Sequence, residues 1–120
     1  MGMDSRVFGH RGEPTIDGEG GWIYLDEIEL GYWRNHRRLH SIIEDIHASR
    51  TGERDINTKA VELDLDVIEY LEQELEDGDL LRYNDGSKDD REEHQAMQEF
   101  IASSRKALAD GYTVRYWCWY

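Results

Sequence analysis

The last nine residues, Tyr112-Thr113-Val114-Arg115-Tyr116-Trp117-Cys118-Trp119-Tyr120, constrain this chain more than any other stretch. They are rich in the aromatic and β-branched residues that favour strands. Successive residues of an extended chain point to opposite sides, so this segment is apolar on both faces. Such a strand needs cover on both faces, or a partner molecule on one. It demands a sheet with something packed against it.

Helical patterns supply the cover. Trp33, His36, His40, Ile43 and His47 fall at helical spacing, flanked by Tyr32, Leu39, Ile42 and Ile46. With Asp26 as N-cap and acids in the first turn, they predict a helix over residues 27–48. A second helix is predicted over 65–77, capped by Asp64, with Leu65, Ile68, Leu71 and Leu75 buried and Gly78 closing it. A third, over 90–109, starts at Ser87 or Asp89 and presents Met97, Phe100, Ile101, Ser104 and Leu108. Gly111 stands just beyond its end. Residues 59–63 predict a short strand, and 80–83 a brief extended piece before a turn at 84–87. Residues 1–21 carry turn chemistry in Gly9 to Pro14 and Asp17 to Gly21, which predicts a flexible or irregular leader. That leaves 22–120 as a single α+β domain, about three helices packed on a short two- or three-stranded sheet.

The charge balance excludes several classes of function. The chain holds 27 Asp and Glu against 14 Lys and Arg, a net charge of −13 over 120 residues. Direct nucleic-acid binding needs Lys and Arg to neutralise phosphates, so it is not expected. No apolar run approaches the ~18–20 residues that span a bilayer, and the first residues hold no apolar signal core. No membrane partner is expected, and the expected setting is cytoplasmic. Cys118 is the only cysteine, which excludes an intrachain disulfide and a cysteine-based zinc site. At 11% aromatic, the chain is unlike disordered acidic sequences. A domain this small gains from pairing with a second copy, and the terminal strand offers an edge for a homodimer.

Three constellations carry candidate chemistry. The segment from Tyr32 to His40 is a basic island. Trp33, Arg34, Arg37, Arg38 and His40 are its candidate residues for an anionic nucleotide or signalling molecule, with arginines on the anion and Trp33 stacked on a ring. The plainer account is that these arginines pair with the chain's own surplus acid. His36, His40, Glu44 and His47 lie along the same expected helix. Four ligands spread over about 16 Å of one helix axis cannot share an ion. Two of them with an Asp or Glu from elsewhere could, but a packed or half-buried histidine stripe is the expectation and no metal is assigned.

The third constellation is acid without base. Glu62, Asp64, Asp66, Glu69, Glu72, Glu74, Glu76, Asp77 and Asp79 fall between residues 60 and 81, where there is no Lys or Arg. Their axial spacing is comparable with the charge spacing of a nucleic-acid backbone. They form either a solvated, salt-adapted surface or an imitation of nucleic acid offered to a basic protein. Asp66, Glu69, Glu72, Glu76, Asp77 and Asp79, with Trp117 and Trp119 as aromatic anchors, are the candidate partner-binding residues. The carboxylate pairs Asp64-x-Asp66 and Asp89-Asp90 are explained by caps and surface. No nucleophile motif is present, so no catalytic residue and no cofactor are expected.

Tyr32-Trp33-Arg34 followed by Leu39-His40, together with the aromatic end after a third helix, resembles small phage and prophage accessory proteins with a Tyr-Trp-Arg-Lys…Ile-His pattern. The likeness covers about residues 28–120 in layout. It departs at Asn35, where that group has a base, at Ile42-Ile43, and at the reduced segment 80–83. It implies a viral accessory origin in an infected or lysogenic prokaryotic host. The expected function is then a non-enzymatic, anti-CRISPR or anti-defence type of inhibitor that binds a host nucleic-acid-handling protein through its basic surface. The alternatives are the small-ligand module at the basic island and a homodimeric structural component.

Overall fold

The computed structural model describes residues 3–16, 22–57, 59–78, 80 and 88–119. Four strands form an antiparallel sheet in the order β2-β1-β4-β3. They are β1 (Asp4–Ile16), β2 (Trp22–Arg34), β3 (Val61–Glu62) and β4 (Thr113–Trp119). The helices are α1 (Arg37–Thr51), α2 (Leu65–Glu76) and α3 (Lys88–Ala109). The class is the expected α+β, but the sheet has four strands rather than two or three, because residues 4–16 and 22–34 join it.

The first correction concerns residues 4–16. They are not an irregular leader but a central strand, paired on one side with β2 and on the other with β4. Alternation is what makes the strand: Ser5, Val7 and Gly9 face the core, while Arg6, Phe8 and His10 face away. Gly9 earns its place by close approach. A Cβ there would sit 3.2 Å from Ile28 and 3.4 Å from Tyr112.

The second correction concerns 27–48, which is strand to Arg34 and helix only from Arg37. Glu27-Ile28-Glu29-Leu30-Gly31-Tyr32 alternates with period two, and cross-strand pairing with β1 decides in its favour. Asp26 is not a helix cap; it lies inside β2 with φ +52°. The turn into α1 is made by Asn35 at φ +58°, a conformation that Asn tolerates better than most residues. Its side-chain oxygen accepts from Met3 N at 2.7 Å, and its own N–H donates to Met3 O at 2.6 Å. His36 then caps α1, its Nδ1 accepting from Leu39 N at 3.3 Å.

The later elements follow the sequence closely. Asp64 caps α2, its Oδ1 accepting from Val67 N at 3.0 Å, and Gly78 follows the helix at φ +81°. Within α2 the buried residues are Val67, Ile68, Leu71 and Leu75. Leu65, expected inside, is 47% exposed because it precedes the inward-facing arc. In α3, Met97, Phe100, Ile101 and Ser104 are buried, as the spacing predicted. Asp89 lies within α3 rather than before it. Ser87, the expected extended piece beyond Leu80 and the turn at 84–87 lie outside the described residues.

All three helices pack on one side of the sheet. Val7, Trp33, Val61, Val114, Tyr116 and Cys118 from the strands join Leu39, Ile43, Ile68, Leu71, Met97 and Phe100 in one core. Each fully buried side chain of this size contributes about 1.5–3 kcal/mol of transfer free energy. β4 thus satisfies one of its two apolar faces. The other, with Arg115, Trp117 and Trp119, points away from the helices.

Candidate functional site

The predicted basic island does not assemble. Trp33 is only 7% exposed, its ring meeting Phe100 edge-on at 4.9 Å and covering Gly31, where a Cβ would overlap the indole. It is part of the core and cannot stack on a ligand. His40 is also inside, its Nδ1 3.0 Å from Tyr116 Oη. Burial pushes its pKa below the ordinary 6.5, with Glu44 opposing. Arg34 sits at the end of β2 opposite Asp4, while Arg37 and Arg38 are exposed in the first turn of α1. The segment straddles a strand end, a corner, a cap and a helix start, so its residues point in different directions. His36, His40, Glu44 and His47 do not converge; among the described residues no group of three or more His, Cys, Asp or Glu could hold a metal ion.

The predicted partner-binding set divides between two surfaces. Asp66, Glu69 and Glu76 on α2, and Asp77 at its C-terminal end, are exposed on the helical side. Glu72 is committed elsewhere: Arg105 Nη1 and Nη2 each donate to it at 3.2 Å. Asp64 caps the helix and pairs with Arg50 at 3.5 Å, so base for this stretch comes from other elements. Asp79 lies outside the described residues. Trp117 and Trp119 are on the far side of the sheet, their rings 4.8 Å apart, so they cannot anchor an interface centred on α2.

That far side holds the residues that sequence reasoning missed. Three register shifts interrupt the β1–β2 pairing, between Val7 and Phe8, Gly9 and Arg11, and Arg11 and Thr15. Each extra residue bends the ribbon and increases its twist. Gly12 at φ +70° and Asp26 at +52° occupy the two distal shifts. The bent ribbon brings Tyr24 back against Phe8, at 4.9 Å, and His10, at 4.8 Å. A cavity of about 700 Å³ results, with Arg6, Phe8, Tyr24, Lys59, Arg115 and Trp117 among its walls.

Electrostatics distinguishes this cavity from the rest of the molecule. Among the described residues, Arg6, Lys59 and Arg115 line it against the carboxylate of Glu27. Arg6 lies 4.6 Å over the Phe8 ring and pairs with Glu27 and Glu29 at 3.2 Å. Lys59 pairs with Glu53, also at 3.2 Å. Arg115 Nε donates to His10 Nε2 at 2.8 Å. Burial, and then the neighbouring Arg115 charge, push the His10 pKa below its ordinary 6.5, so His10 is a neutral acceptor. The sequence did hold a signal for these residues: Arg6-x-Phe8-x-His10 and Arg115-x-Trp117-x-Trp119 each place base and aromatic on one face of a strand.

Compared with protein-family models, curated proteins and solved structures, the chain matches none. No helix among the described residues is long and apolar enough to cross a membrane.

Proposed function

We propose that this chain is a non-enzymatic binding protein whose helical side docks on a basic protein surface. The observation that carries this reading is the outward side of α2. Leu65 and Tyr70 are 47% and 50% exposed there, surrounded by Asp66, Glu69, Glu76 and Asp77. None of those four carboxylates makes an ion pair among the described residues. Beside Tyr70, a cleft of about 340 Å³ between α1 and α2 is lined by Ile42, Ile46 and Val67, together with Asp45 and Asp66. An apolar or aromatic centre within a polar rim is the common anatomy of protein interfaces.

The charge then selects the partner. Carboxylates that make no ion pair among the described residues favour a basic surface and accelerate encounter with it. Their spacing along the helix suits a surface built to hold nucleic acid. The resemblance of Tyr32-Trp33-Arg34 with Leu39-His40, and of the terminal strand, to phage accessory proteins takes the proposal one step further, to a host nucleic-acid-handling or defence protein that the chain inhibits by occupation.

Capture from a lysate of the native host tests this with three forms of the chain. The wild type should retain a protein with a basic nucleic-acid-binding surface. A variant with Asp66, Glu69 and Glu76 all changed to Lys should lose it, with unchanged circular dichroism. Tyr70→Ala should weaken binding at least about tenfold, as a hot-spot truncation does. A triple variant that binds the same protein with the same affinity overturns the reading.

A further inference from the structure

We infer that the cavity on the bare side of the sheet is a binding site for a nucleoside monophosphate, with the phosphate at Arg115 and the base against Trp117 and Tyr24. This site is independent of the acidic surface on α2. Its volume of about 700 Å³ falls within the ~300–1,000 Å³ common for small-molecule sites. The bent ribbon walls it on one side through Tyr24 and Pro14, and Lys59 with Ala60 wall the other.

The chemistry of the walls points to a flat ligand carrying an anion. Phe8 is 2% exposed and serves as floor, while Trp117 is half-buried and presents ring surface. Arg115 is half-buried in the middle of β4. It spends Nε on His10, and its Nη1 and Nη2 make no hydrogen bond among the described residues. Glu62, its neighbour across the β3–β4 pairing, makes no ion pair with it. A guanidinium whose two amino groups make no hydrogen bond among the described residues, set beside aromatic walls, suits a phosphate, which Arg grips with paired, charge-assisted hydrogen bonds. His10 acts as a positioning residue, because its neutral Nε2 accepts from Arg115 and fixes the plane of the guanidinium. Arg6 and Lys59 already have carboxylate partners, so they add field rather than the main contact.

A mononucleotide is favoured over a nucleic-acid strand by the remainder of the surface. Every further phosphate of a strand would leave the cavity and meet a protein of net charge −13. A single phosphate ends where the cationic lining ends.

Titration calorimetry and thermal shift on the full chain with AMP, GMP, CMP and UMP test the site, with adenosine, inorganic phosphate and an oligoadenylate strand alongside. At least one monophosphate should bind and raise the melting temperature, since a ligand of the native state stabilises it by mass action. The matching nucleoside and free phosphate should each bind at least about tenfold more weakly. Arg115→Gln and Trp117→Ala should each weaken binding about tenfold or more, the loss typical of a charge-assisted contact or a stacking face. Lys59→Gln, an exposed change that spares the sheet, should weaken binding by a smaller factor. Arg38→Gln on α1 should leave it unchanged. The proposal is overturned if none of the four monophosphates binds, if Lys59→Gln and Arg115→Gln both bind like the wild type, or if the oligoadenylate binds tighter than every monophosphate.

Discussion

On the helical side of the sheet Val114, Tyr116 and Cys118 are wholly buried, whereas their neighbours Arg115 and Trp117 on the other side stay half-open and Trp119 is 38% exposed. One strand therefore serves two purposes at alternate positions. The inward set is closed by three helices and carries the fold. The outward set is only half enclosed, by a bent ribbon of the same sheet, and its cations and rings have chemistry left to use. The contrast teaches that residues committed to the core and residues left open alternate along one strand, so the proposed recognition can be attacked apart from stability, residue by residue.

The largest effect is expected from the closed side. Leu71 is fully buried on α2, and Leu71→Ala should destabilise by about 2–5 kcal/mol, the cost of lost transfer energy plus a cavity. Urea denaturation reads this directly. Trp119→Ala on the open side should cost less than about 1 kcal/mol, as substitutions on exposed surface generally do. An equal loss for Trp119→Ala, especially one that shrinks with dilution, would mean that the open side is closed by a second copy of the chain.

A smaller effect comes from a polar contact buried within the closed side. Tyr116→Phe removes the hydroxyl that meets His40 Nδ1 at 3.0 Å, for an expected loss of about 1 kcal/mol. The same site gives a pH dependence. Burial holds the His40 pKa below 6.5 in the folded chain. As pH falls, the unfolded chain takes up its proton first, so acid favours unfolding. The His40 contribution is complete above 6.5, declines as pH drops below that value, and levels off once the folded pKa is passed. His10, lowered for the same first reason, adds to this slope. His40→Gln should flatten the melting temperature between neutral and mildly acidic pH; an unchanged slope would show that His40 is not held neutral inside.

The elements that were legible in the sequence are those fixed by local chemistry. In α2, Asp64, Leu71, Leu75 and Gly78 lie within one short span and state cap, face and stop together. β4 declared itself through composition. The β1–β2 ribbon was hidden because its evidence is long-range: Ser5 is recognisable as core only once it lies opposite Trp33 and Cys118. Its bulges also break the alternation that marks a strand, and the bases and glycines of residues 6–12 look like loop chemistry. The helical spacing from Trp33 to His47 was partly accidental, since the chain turns at Asn35 in the middle of it. The cavity shares this fate: Arg6, Tyr24, Lys59 and Arg115 come from four separate regions, and only folding places them together. The acid on α2 was legible as charge, but its partition into paired and unpaired carboxylates was not.

That partition sets the smallest expected effect. Glu72 and Arg105 form a two-pronged pair with both side chains 42% exposed, and pairs so open to water contribute little. Glu69, close by on the same helix, makes no ion pair among the described residues, although the Arg105 charge reaches it. Glu72→Gln should therefore be slightly destabilising at low salt and Glu69→Gln neutral or slightly stabilising. Both differences should vanish as salt shortens the range of the field. Opposite signs at low salt are the diagnostic result, because they separate acid that the fold uses from acid left over for a partner. If Glu69→Gln destabilises as much as Glu72→Gln, the carboxylates of α2 are all serving the fold, and the division between a stabilising interior and a recognising surface fails on the helical side.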